Sequence, residues 1–331
     1  MSMIVEGIER AVFGEVTADD VAAWIDQHVR NRLTLGVRAV LFRTGRLAAV
    51  YGLQLTNGSK IVAKVHRSAD IDQLGAAVTC QRLLADAHYP CPLPLDGPVE
   101  ADGRVVLLET LLDQGEQGDA HNPATRRTIA RSLAEQIHIL RAVPELRAHL
   151  LTPIAWANYS SGPWPIPHDS IFDFTTTPPG FEWLDRIAGQ AATILMPRKQ
   201  PDAIAHSDWV CQNLRFTEKG VSAAYDWDSL LAESEAVLVG VSAGAYTEGS
   251  RSGDDAPTPE EVVGFLSDYD AHRDTPFSKQ EQAAAAAAAT WVLAYNSRCG
   301  LGVEALGFPT GEGSPLQKLS RYGNAYLSLR W

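Results

Sequence analysis

The sequence predicts an α+β protein in which a small antiparallel sheet precedes a larger, mainly helical region. Residues 37–66 alternate between apolar and polar side chains and carry turn signals at Gly45 and at Asn57-Gly58, which is typical of antiparallel strands. After residue 122, apolar residues recur at helical spacing, and capping residues mark the starts of several helices. We therefore expect an N-terminal lobe over 1–112 and a mainly helical C-terminal lobe over 113–331.

Composition limits the classes of partner. The chain has 331 residues, of which 45% are hydrophobic, and this is enough for one large globular unit or two lobes. Its net charge of −12 argues against a nucleic-acid partner, because nucleic-acid phosphates require a basic surface, and it permits a cationic substrate without requiring one. The four cysteines form no Cys-x-x-Cys pair, so we expect neither a zinc site nor disulfides, and we expect a cytoplasmic location. No signal peptide or membrane-spanning run is evident, so no membrane association is expected.

The N-terminal part is predicted to contain a capped helix, three antiparallel strands, a second helix and a buried strand. Thr17 caps the first helix, and Asn57-Gly58 joins the second and third strands. In the third strand, alternation places Lys64 on the face opposite Ala63 and Val65. The predicted bounds of these elements are 17–32, 37–42, 47–55, 60–66, 70–87 and 104–112.

The C-terminal part begins with a helix that Asn122 caps. Residues 152–180 show little periodicity, which indicates an ordered but irregular segment, and such segments often form binding loops. Seven alanines at 283–289 predict a buried helix that closely approaches a neighbour. The other predicted elements are a helix at 181–195, a helix ending near 246, helices starting near 259 and 279, and short buried strands at 202–205 and 221–225.

Polar side chains follow both of these short strands, and we expect the two strands to deliver them to one edge. Asp208 and Asn213 follow the first strand, and Asp226 follows the second, so the three side chains are predicted to meet at one point. Phosphoryl transfer requires a carboxylate that orients the acceptor, and an amide oxygen and a second carboxylate that hold Mg²⁺ against the phosphates. Hard oxygen ligands of this kind suit that cation.

The spacing of these residues resembles that of a known family. Asn213 follows Asp208 by five positions, as Asn follows Asp in the kinase catalytic loop, and Asp226 lies where the magnesium-binding Asp follows on the next strand. With His206 two positions before Asp208, the pattern resembles the aminoglycoside phosphotransferase and choline kinase-like family, whose usual form is His-Gly-Asp, then Asn, then Ile-Asp-Trp. The resemblance covers about 37–299 and implies a two-lobed protein-kinase-like fold that binds ATP or GTP.

The resemblance also implies a role for each of these residues. Asp208 is expected to orient the acceptor hydroxyl and accept its proton, while Asn213 and Asp226 hold Mg²⁺ near the nucleotide. His206 is expected to hold the catalytic loop through a hydrogen bond to backbone or to the Asp226 turn. Asp228 has either a secondary magnesium role or a capping role.

Two residues of the N-terminal lobe are expected to contact the nucleotide phosphates. Lys64 lies in a strand context similar to the kinase Val-Ala-Ile-Lys, although a lysine there can also be solvated on an open sheet face. Gly45 lies where relatives place a loop over the phosphates, although a lone glycine by itself favours an ordinary hairpin turn. The family usually pairs the lysine with a helix Glu, but residues 74–82 contain no carboxylate. We expect Gln73, Gln81 or the nucleotide itself to take its place.

The resemblance leaves three further features to the structure. Ser207 replaces the usual glycine of the loop, and Glu235 is the predicted carboxylate that braces it. The irregular segment offers residues that border an acceptor pocket, or that only pack on the core. These residues are Trp156, Trp164, His168, Asp169 and Asp173.

The predicted function is transfer of the γ-phosphate of ATP or GTP to a hydroxyl of a small molecule, such as an aminoglycoside-like antibiotic, an amino sugar or an amino alcohol. The alternative is a non-catalytic nucleotide-binding regulatory module, which the missing helix carboxylate favours. A hydrolytic metal site of His206, Asp208 and Asp226 lacks the second histidine cluster that zinc hydrolases use. A purely structural use of the motif, as caps and turns, requires three coincidences. A protein kinase is disfavoured because no segment ends in Ala-Pro-Glu.

Overall fold

The chain divides into two compact units, Met1–Asp113 and Gln114–Trp331. The computed structural model describes residues 2–67, 69–151, 155–159, 164–169, 171–196 and 200–331, with only the backbone for residues 2–6. Within these residues, unit 1 contains a five-stranded antiparallel sheet, and unit 2 is mainly helical with two two-stranded sheets. The predicted α+β class is confirmed.

Unit 1 consists of a sheet covered on one face by two helices. Its elements are α1 Ser2–Phe13, α2 Ala18–Leu33, β1 Val37–Thr44, β2 Ala49–Leu55, β3 Lys60–His66, α3 Ile71–Asp86, β4 Pro94–Ala101 and β5 Arg104–Thr110. The strand order is β1-β2-β3-β5-β4. The helices α1 and α2 pack Val12, Phe13 and Ile25 against one face, and the opposite face carries Lys64. A capping box at Thr17 begins α2 as predicted, whereas α1 has no counterpart among the predicted elements.

Unit 2 places its short strands in two separate sheets. The elements are α4 Pro123–Leu140, α5 Glu182–Leu195, β6 Ala203–His206, β7 Leu214–Thr217, β8 Gly220–Ala224, β9 Leu230–Glu233, α6 Glu235–Ala245, α7 Pro259–Asp270, α8 Lys279–Ala305 and α9 Pro315–Tyr322. β6 pairs with β9, and β7 pairs with β8, so the expectation that the strands before Asp208 and Asp226 share one sheet edge is wrong. Across the described ranges, no helix combines the length and apolar character that a membrane span needs.

The alanine-rich helix α8 lies against α6 at very short range. Ala285 to Ala289 are all buried, which confirms the predicted close approach. A Cβ on Gly240 of α6 would lie 2.2 Å from the carbonyl oxygen of Ala285, and one on Gly244 would lie 2.6 Å from that of Ala289. Two small-residue surfaces therefore let the backbones of α6 and α8 approach each other closely.

Glu235, the first residue of α6, joins three helical segments. Its carboxylate accepts hydrogen bonds from Arg273 Nε at 2.8 Å, from Tyr269 Oη at 2.8 Å and from Arg141 Nη2 at 3.0 Å. These three partners lie at or near the ends of α4 and α7, and the backbone N–H of Glu235 donates to Asp202 Oδ1 at 2.7 Å. The prediction that Glu235 braces the loop containing Asp208 is therefore wrong.

The pKa of Glu235 reflects this set of partners. Burial raises it, but the hydrogen bonds from Arg273 and Tyr269 and the charges of Arg273 and Arg141 outweigh burial, so the pKa lies below its ordinary value of 4.5. Because the folded-state pKa is depressed, the charge of Glu235 contributes stability above pH 4.5 that is lost as the pH falls through the folded-state pKa.

Substituting Gly240→Ala should destabilise unit 2 by about 1–3 kcal/mol, because the added methyl group forces α6 away from the α8 backbone. The matched control is Gly189→Ala in α5, where a Cβ would meet nothing within 4 Å. That change should leave stability unaltered or raise it by up to about 1 kcal/mol through helix propensity. Chemical denaturation measures both, and equal stability of the two variants would contradict the packing account.

Substituting Glu235→Gln should lower the free energy of unfolding at neutral pH by about 3 kcal/mol, since removing one partner of a buried ion pair leaves Arg273 with only its longer ion pair to Asp270, at 3.7 Å. The difference from the wild type should shrink as the pH falls through the depressed folded-state pKa of Glu235, because the wild-type carboxylate then becomes protonated. Urea titrations at neutral pH and at acidic pH test this. Glu15→Gln, which removes the exposed partner of Arg10, should change nothing measurable, and a pH-independent loss in Glu235→Gln would contradict the ionic account.

Candidate active site

The predicted site residues of unit 2 lie where β6 ends. His206 is the last residue of β6, and the 207–213 loop then passes through a short 3₁₀ turn, Cys211–Asn213, into β7. Asp226 follows the end of β8 and precedes another short 3₁₀ turn, Trp227–Ser229, which leads into β9. The pairing of β6 with β9 brings this turn next to the loop, because His206 lies opposite Leu230.

His206 is completely buried and uses both of its ring nitrogens. Nε2 lies 2.8 Å from the carbonyl oxygen of Tyr225, and Nδ1 accepts from the Asp208 N–H at 3.2 Å. An imidazole that accepts at Nδ1 donates at Nε2, so this bonding pattern assigns a neutral ring protonated at Nε2. The rings of Trp209 and Trp227 pack on it edge-on at 5.6 and 5.3 Å. His206 thus fixes the start of the loop to the turn that carries Asp226.

Asp208 and Asn213 are in direct contact. The Asn213 Nδ2 donates to both the carbonyl oxygen and the Oδ2 of Asp208, each at 3.0 Å. With the amide nitrogen engaged in this way, Asn213 Oδ1 accepts no hydrogen bond from the described residues. The carbonyl oxygen of Asn213 accepts from the N–H of Tyr225 at 3.0 Å, which links the loop a second time to the end of β8.

Asp226 adopts a left-handed backbone conformation, with φ 72° and ψ 41°. Asp and Asn tolerate this region better than other non-glycine residues. Its carbonyl oxygen accepts from the N–H of Ser229 at 3.1 Å. Asp226 and Asp208 are both half-buried, and Tyr225 joins them because it bonds to His206 and to Asn213. Asp228 lies half-buried in the same turn, and its role stays a prediction.

Ser207 adds a contact that the usual glycine cannot make. Both its N–H and its hydroxyl donate to the carbonyl oxygen of Ser229, at 3.0 and 2.8 Å. The carbonyl oxygen of Ser207 accepts from Trp156 Nε1 at 3.1 Å. The start of the loop is therefore held on one side by the Asp226 turn and on the other by the irregular segment.

The far end of the loop is held by the segment that follows α6. The N–H of Cys211 donates to the carbonyl oxygen of Tyr246 at 3.0 Å, and that of Gln212 donates to the carbonyl oxygen of Glu248 at 2.8 Å. The α6 region therefore supports the loop through its C-terminal end and backbone carbonyls. Because every residue has such a carbonyl, the sequence offers no signal for this contact.

Of the residues predicted to border an acceptor pocket, Trp156 contacts the loop, and its ring packs against the ring of His168. The two rings are 5.7 Å apart, and His168 Nδ1 lies 2.6 Å from the hydroxyl of Tyr295 on α8. Trp164 instead donates to Asp185 of α5, and Asp173 is exposed. Residues 152–154, 160–163 and 170 of this segment lie outside the described part of the chain.

In unit 1, Lys64 is buried against the carboxylate of Glu109, which is not among its predicted partners. Its Nζ lies 3.8 Å from Oε1 of Glu109 on β5, and Gln81 Nε2 of α3 donates to Glu109 Oε2 at 2.9 Å. Burial, together with the negative charge of Glu109, raises the pKa of the neighbouring Cys91 thiol to about 12. An acidic residue in the otherwise apolar run of β5 is the signal that points to Glu109.

Gly45 lies in the connection between β1 and β2, where the tight turn requires glycine. Its φ is +129°, and a Cβ there would lie 1.9 Å from the carbonyl oxygen of Ala48. Lys64 and Gly45 belong to unit 1, whereas Asp208, Asn213 and Asp226 belong to unit 2.

A hydrolytic metal centre finds no support in this geometry. Among the residues that the structure describes, no three His, Cys, Asp or Glu side chains are grouped so that they can hold a metal ion. His206 has no nitrogen left for a metal, since Nδ1 accepts from Asp208 and Nε2 donates to Tyr225.

Comparison with solved structures shows the fold. The chain resembles amicoumacin kinase hAmiN, solved in complex with AMP-PNP, Ca²⁺ and Ami, with a TM-score of 0.60, 13% identity, and coverage of 94% of this chain and 96% of that chain. It also resembles choline kinase LicA from Streptococcus pneumoniae, with a TM-score of 0.59, 14% identity, and coverage of 94% and 100%. It resembles an ethanolamine kinase from Plasmodium vivax as well, with a TM-score of 0.55, 14% identity, and coverage of 99% of this chain and 94% of that chain. The predicted two-lobed kinase-like fold is therefore confirmed.

Comparison with family models and curated sequences gives the relationship. No curated protein sequence matches the chain. Residues 38–232, more than half of the chain, match the model of the phosphotransferase enzyme family (APH), and this stretch includes both the strand of Lys64 and the loop of Asp208. The chain therefore belongs to the phosphotransferase enzyme family, as its His206, Asp208, Asn213 and Asp226 pattern predicts.

Proposed function

We propose that the protein is a small-molecule kinase that transfers the γ-phosphoryl group of ATP or GTP to a hydroxyl group. The observation that carries the proposal is the contact between Asp208 and Asn213, together with the buried His206 that joins this pair to the Asp226 turn. Phosphoryl transfer depends mostly on positioning and charge neutralisation, and this arrangement fixes three oxygen-bearing side chains on a rigid frame.

Asp208 is the residue proposed to orient the acceptor. Its backbone N–H is held by His206, and its Oδ2 is held by the amide of Asn213, so the direction of the carboxylate is set from two sides. A carboxylate in this position hydrogen-bonds the incoming hydroxyl and aims its oxygen at the γ-phosphorus atom. It accepts the hydroxyl proton as the new P–O bond forms and as the bond from the γ-phosphorus to the leaving nucleoside diphosphate breaks.

Asn213 and Asp226 are the proposed ligands of Mg²⁺. The Asn213 amide nitrogen is committed to Asp208, which leaves the amide oxygen for a cation, and Asp226 supplies a carboxylate at the adjoining turn. A hard amide and carboxylate oxygen set of this kind fits Mg²⁺. When bound, the ion would neutralise charge on the phosphates of the donor.

Lys64 is the proposed contact for the donor phosphates, and Gly45 lies in the proposed phosphate loop. The buried partner of Lys64 bears on the non-catalytic alternative, whose support was the absence of a helix carboxylate. Because Glu109 supplies a carboxylate from β5, Lys64 has an acidic partner without a helix Glu, and this weakens the support for that alternative. The complexes of structural neighbours with AMP-PNP or ADP favour a nucleotide donor.

The acceptor is proposed to be a hydroxylated small molecule that bears amino groups, such as an aminoglycoside-like antibiotic, an amino sugar or an amino alcohol. Structural neighbours include kinases of choline and ethanolamine and a spectinomycin phosphotransferase. The side chain of Trp156 contacts Ser207 of the 207–213 loop and packs against the ring of His168, and the net charge of −12 permits a cationic acceptor.

The proposal is tested first by thermal shift with ATP and with GTP, each with and without Mg²⁺. A ligand that binds only the folded state raises its stability by mass action, by about 2.7 kcal/mol at a hundredfold excess over Kd. A magnesium-dependent shift identifies the donor for a screen of amino-bearing and neutral alcohols. No shift with either nucleotide would count against the kinase proposal.

Substituting Asp208→Asn should lower turnover by at least about a hundredfold, because the side chain can no longer accept the hydroxyl proton. The thermal shift with the magnesium nucleotide should equal that of the wild type, since Asp208 acts on the acceptor. Asp274→Asn, at an exposed site in the same unit, is the control and should keep full activity. Undiminished turnover in Asp208→Asn would remove the proposed base.

Substituting Asp226→Asn should abolish the magnesium dependence of the thermal shift, because one of the two proposed ligand side chains loses its charge. Asn tolerates the left-handed backbone, so the turn itself is preserved. The control is Asp102→Asn, at another left-handed position, which should leave the magnesium effect intact. An unchanged magnesium effect in Asp226→Asn would show that the ion binds elsewhere.

A further inference from the structure

The ion pair of Lys64 is built into the sheet of unit 1. We propose that Glu109 is the residue that positions Lys64 for the donor phosphates, and that it replaces the helix carboxylate of relatives. The inference rests on the proposed function of Lys64 as a phosphate contact. The carboxylate that orients the lysine then lies on strand β5, since residues 74–82 of α3 contain no carboxylate.

Sheet register places the two charges on one face. In the pairing of β3 with β5, Val62 lies opposite Glu109, and Lys64 lies opposite Leu107. Because side chains two residues apart share a face, Lys64 and Glu109 are diagonal neighbours across the strand pair. Long side chains span such a diagonal, and the Lys64 Nζ lies 3.8 Å from Glu109 Oε1. Their side chains are only 6% and 8% exposed, so water screens the pair little.

The second oxygen of Glu109 is fixed by α3. Gln81 is buried, and its Nε2 donates to Glu109 Oε2 and to the carbonyl oxygen of Pro92, both at 2.9 Å. An amide nitrogen has two protons, and both are used here. The helix therefore meets the pair with a neutral donor, while the negative charge stays on the strand. Glu109 thus presents Oε1 to Lys64 and Oε2 to Gln81.

The location on a strand has a mechanical consequence. A carboxylate on a helix holds the lysine only while that helix is docked on the sheet, whereas β3 and β5 are joined by a continuous backbone ladder from Ile61 to His66. The backbone positions of Glu109 and Lys64 are therefore set by the strand pair and do not depend on where α3 lies. The lysine is preorganised for its phosphate contact within unit 1, which avoids an ordering cost when the nucleotide binds.

The test is a set of full-length variants examined by calorimetric titration with magnesium and whichever of ATP or GTP the wild type binds. Glu109→Gln should weaken nucleotide binding roughly tenfold, the scale of a hydrogen bond to a charged group. Glu109→Asp keeps the charge on a shorter side chain and should recover part of the affinity. In a Lys64→Met background, Glu109→Gln should cause no further loss, because Glu109 acts only through Lys64.

A variant that moves the carboxylate from β5 to α3 distinguishes two roles of Glu109, which are the positioning of Lys64 and the support of the fold. The double variant E109Q/Q81E returns one carboxylate to α3 and keeps the amide partner, so the buried network retains its net charge and the chain should stay folded. It should bind the nucleotide more tightly than Glu109→Gln alone. Melting temperatures of all variants, measured without nucleotide, report the structural contribution separately.

Three results would overturn the inference. They are unchanged nucleotide affinity in Glu109→Gln, additive losses with Lys64→Met, and a loss of affinity that only follows the loss of melting temperature. These outcomes differ from failure of the proposed function, in which the wild-type protein itself binds neither magnesium nucleotide and the inference falls with it.

Discussion

The site in unit 2 depends on the hydrogen bonds of one buried imidazole. His206 accepts from the N–H of Asp208 and donates to the carbonyl oxygen of Tyr225, the residue before Asp226. A neutral imidazole can do both only in one tautomer, and the buried rings around it exclude water that would compete for either nitrogen. The two proposed carboxylates of the reaction are therefore set relative to each other by a group that contacts neither acceptor nor metal in the proposed mechanism.

Around this centre, the loop is held mainly by backbone groups. Ser207 doubles the bond to Ser229, Trp156 binds the opposite side, and the end of α6 receives the N–H groups of Cys211 and Gln212. The end of α6 is in turn fixed by backbone packing of α6 on α8, which glycine and alanine make possible. The position of the loop therefore depends on the packing of α6 against α8 as well as on the hydrogen bonds of the loop itself.

Unit 1 solves a different problem, which is how to keep a buried lysine oriented without a helix carboxylate. Glu109 does so from a neighbouring strand, with Gln81 supporting its second oxygen. Burial of both charges makes the pair sensitive to geometry, since a charge without its partner in such an environment is costly. The pair therefore ties the electrostatics proposed for nucleotide binding to the register of the sheet.

The sequence by itself determined the local features. Its caps and turns predicted elements such as α2 and the β2–β3 hairpin, and the short, fixed spacing of Asp208 and Asn213 predicted their contact, because nearby residues in one loop meet with little dependence on the rest of the chain. Tertiary structure alone decided that Glu109 pairs with Lys64, and that Glu235 accepts hydrogen bonds from residues at the ends of α4 and α7. Such contacts depend on strand register and helix packing between distant segments, which spacing along the sequence does not report. The bonds from Cys211 and Gln212 to the segment after α6 leave no mark in the sequence at all, because their backbone acceptors are common to every residue.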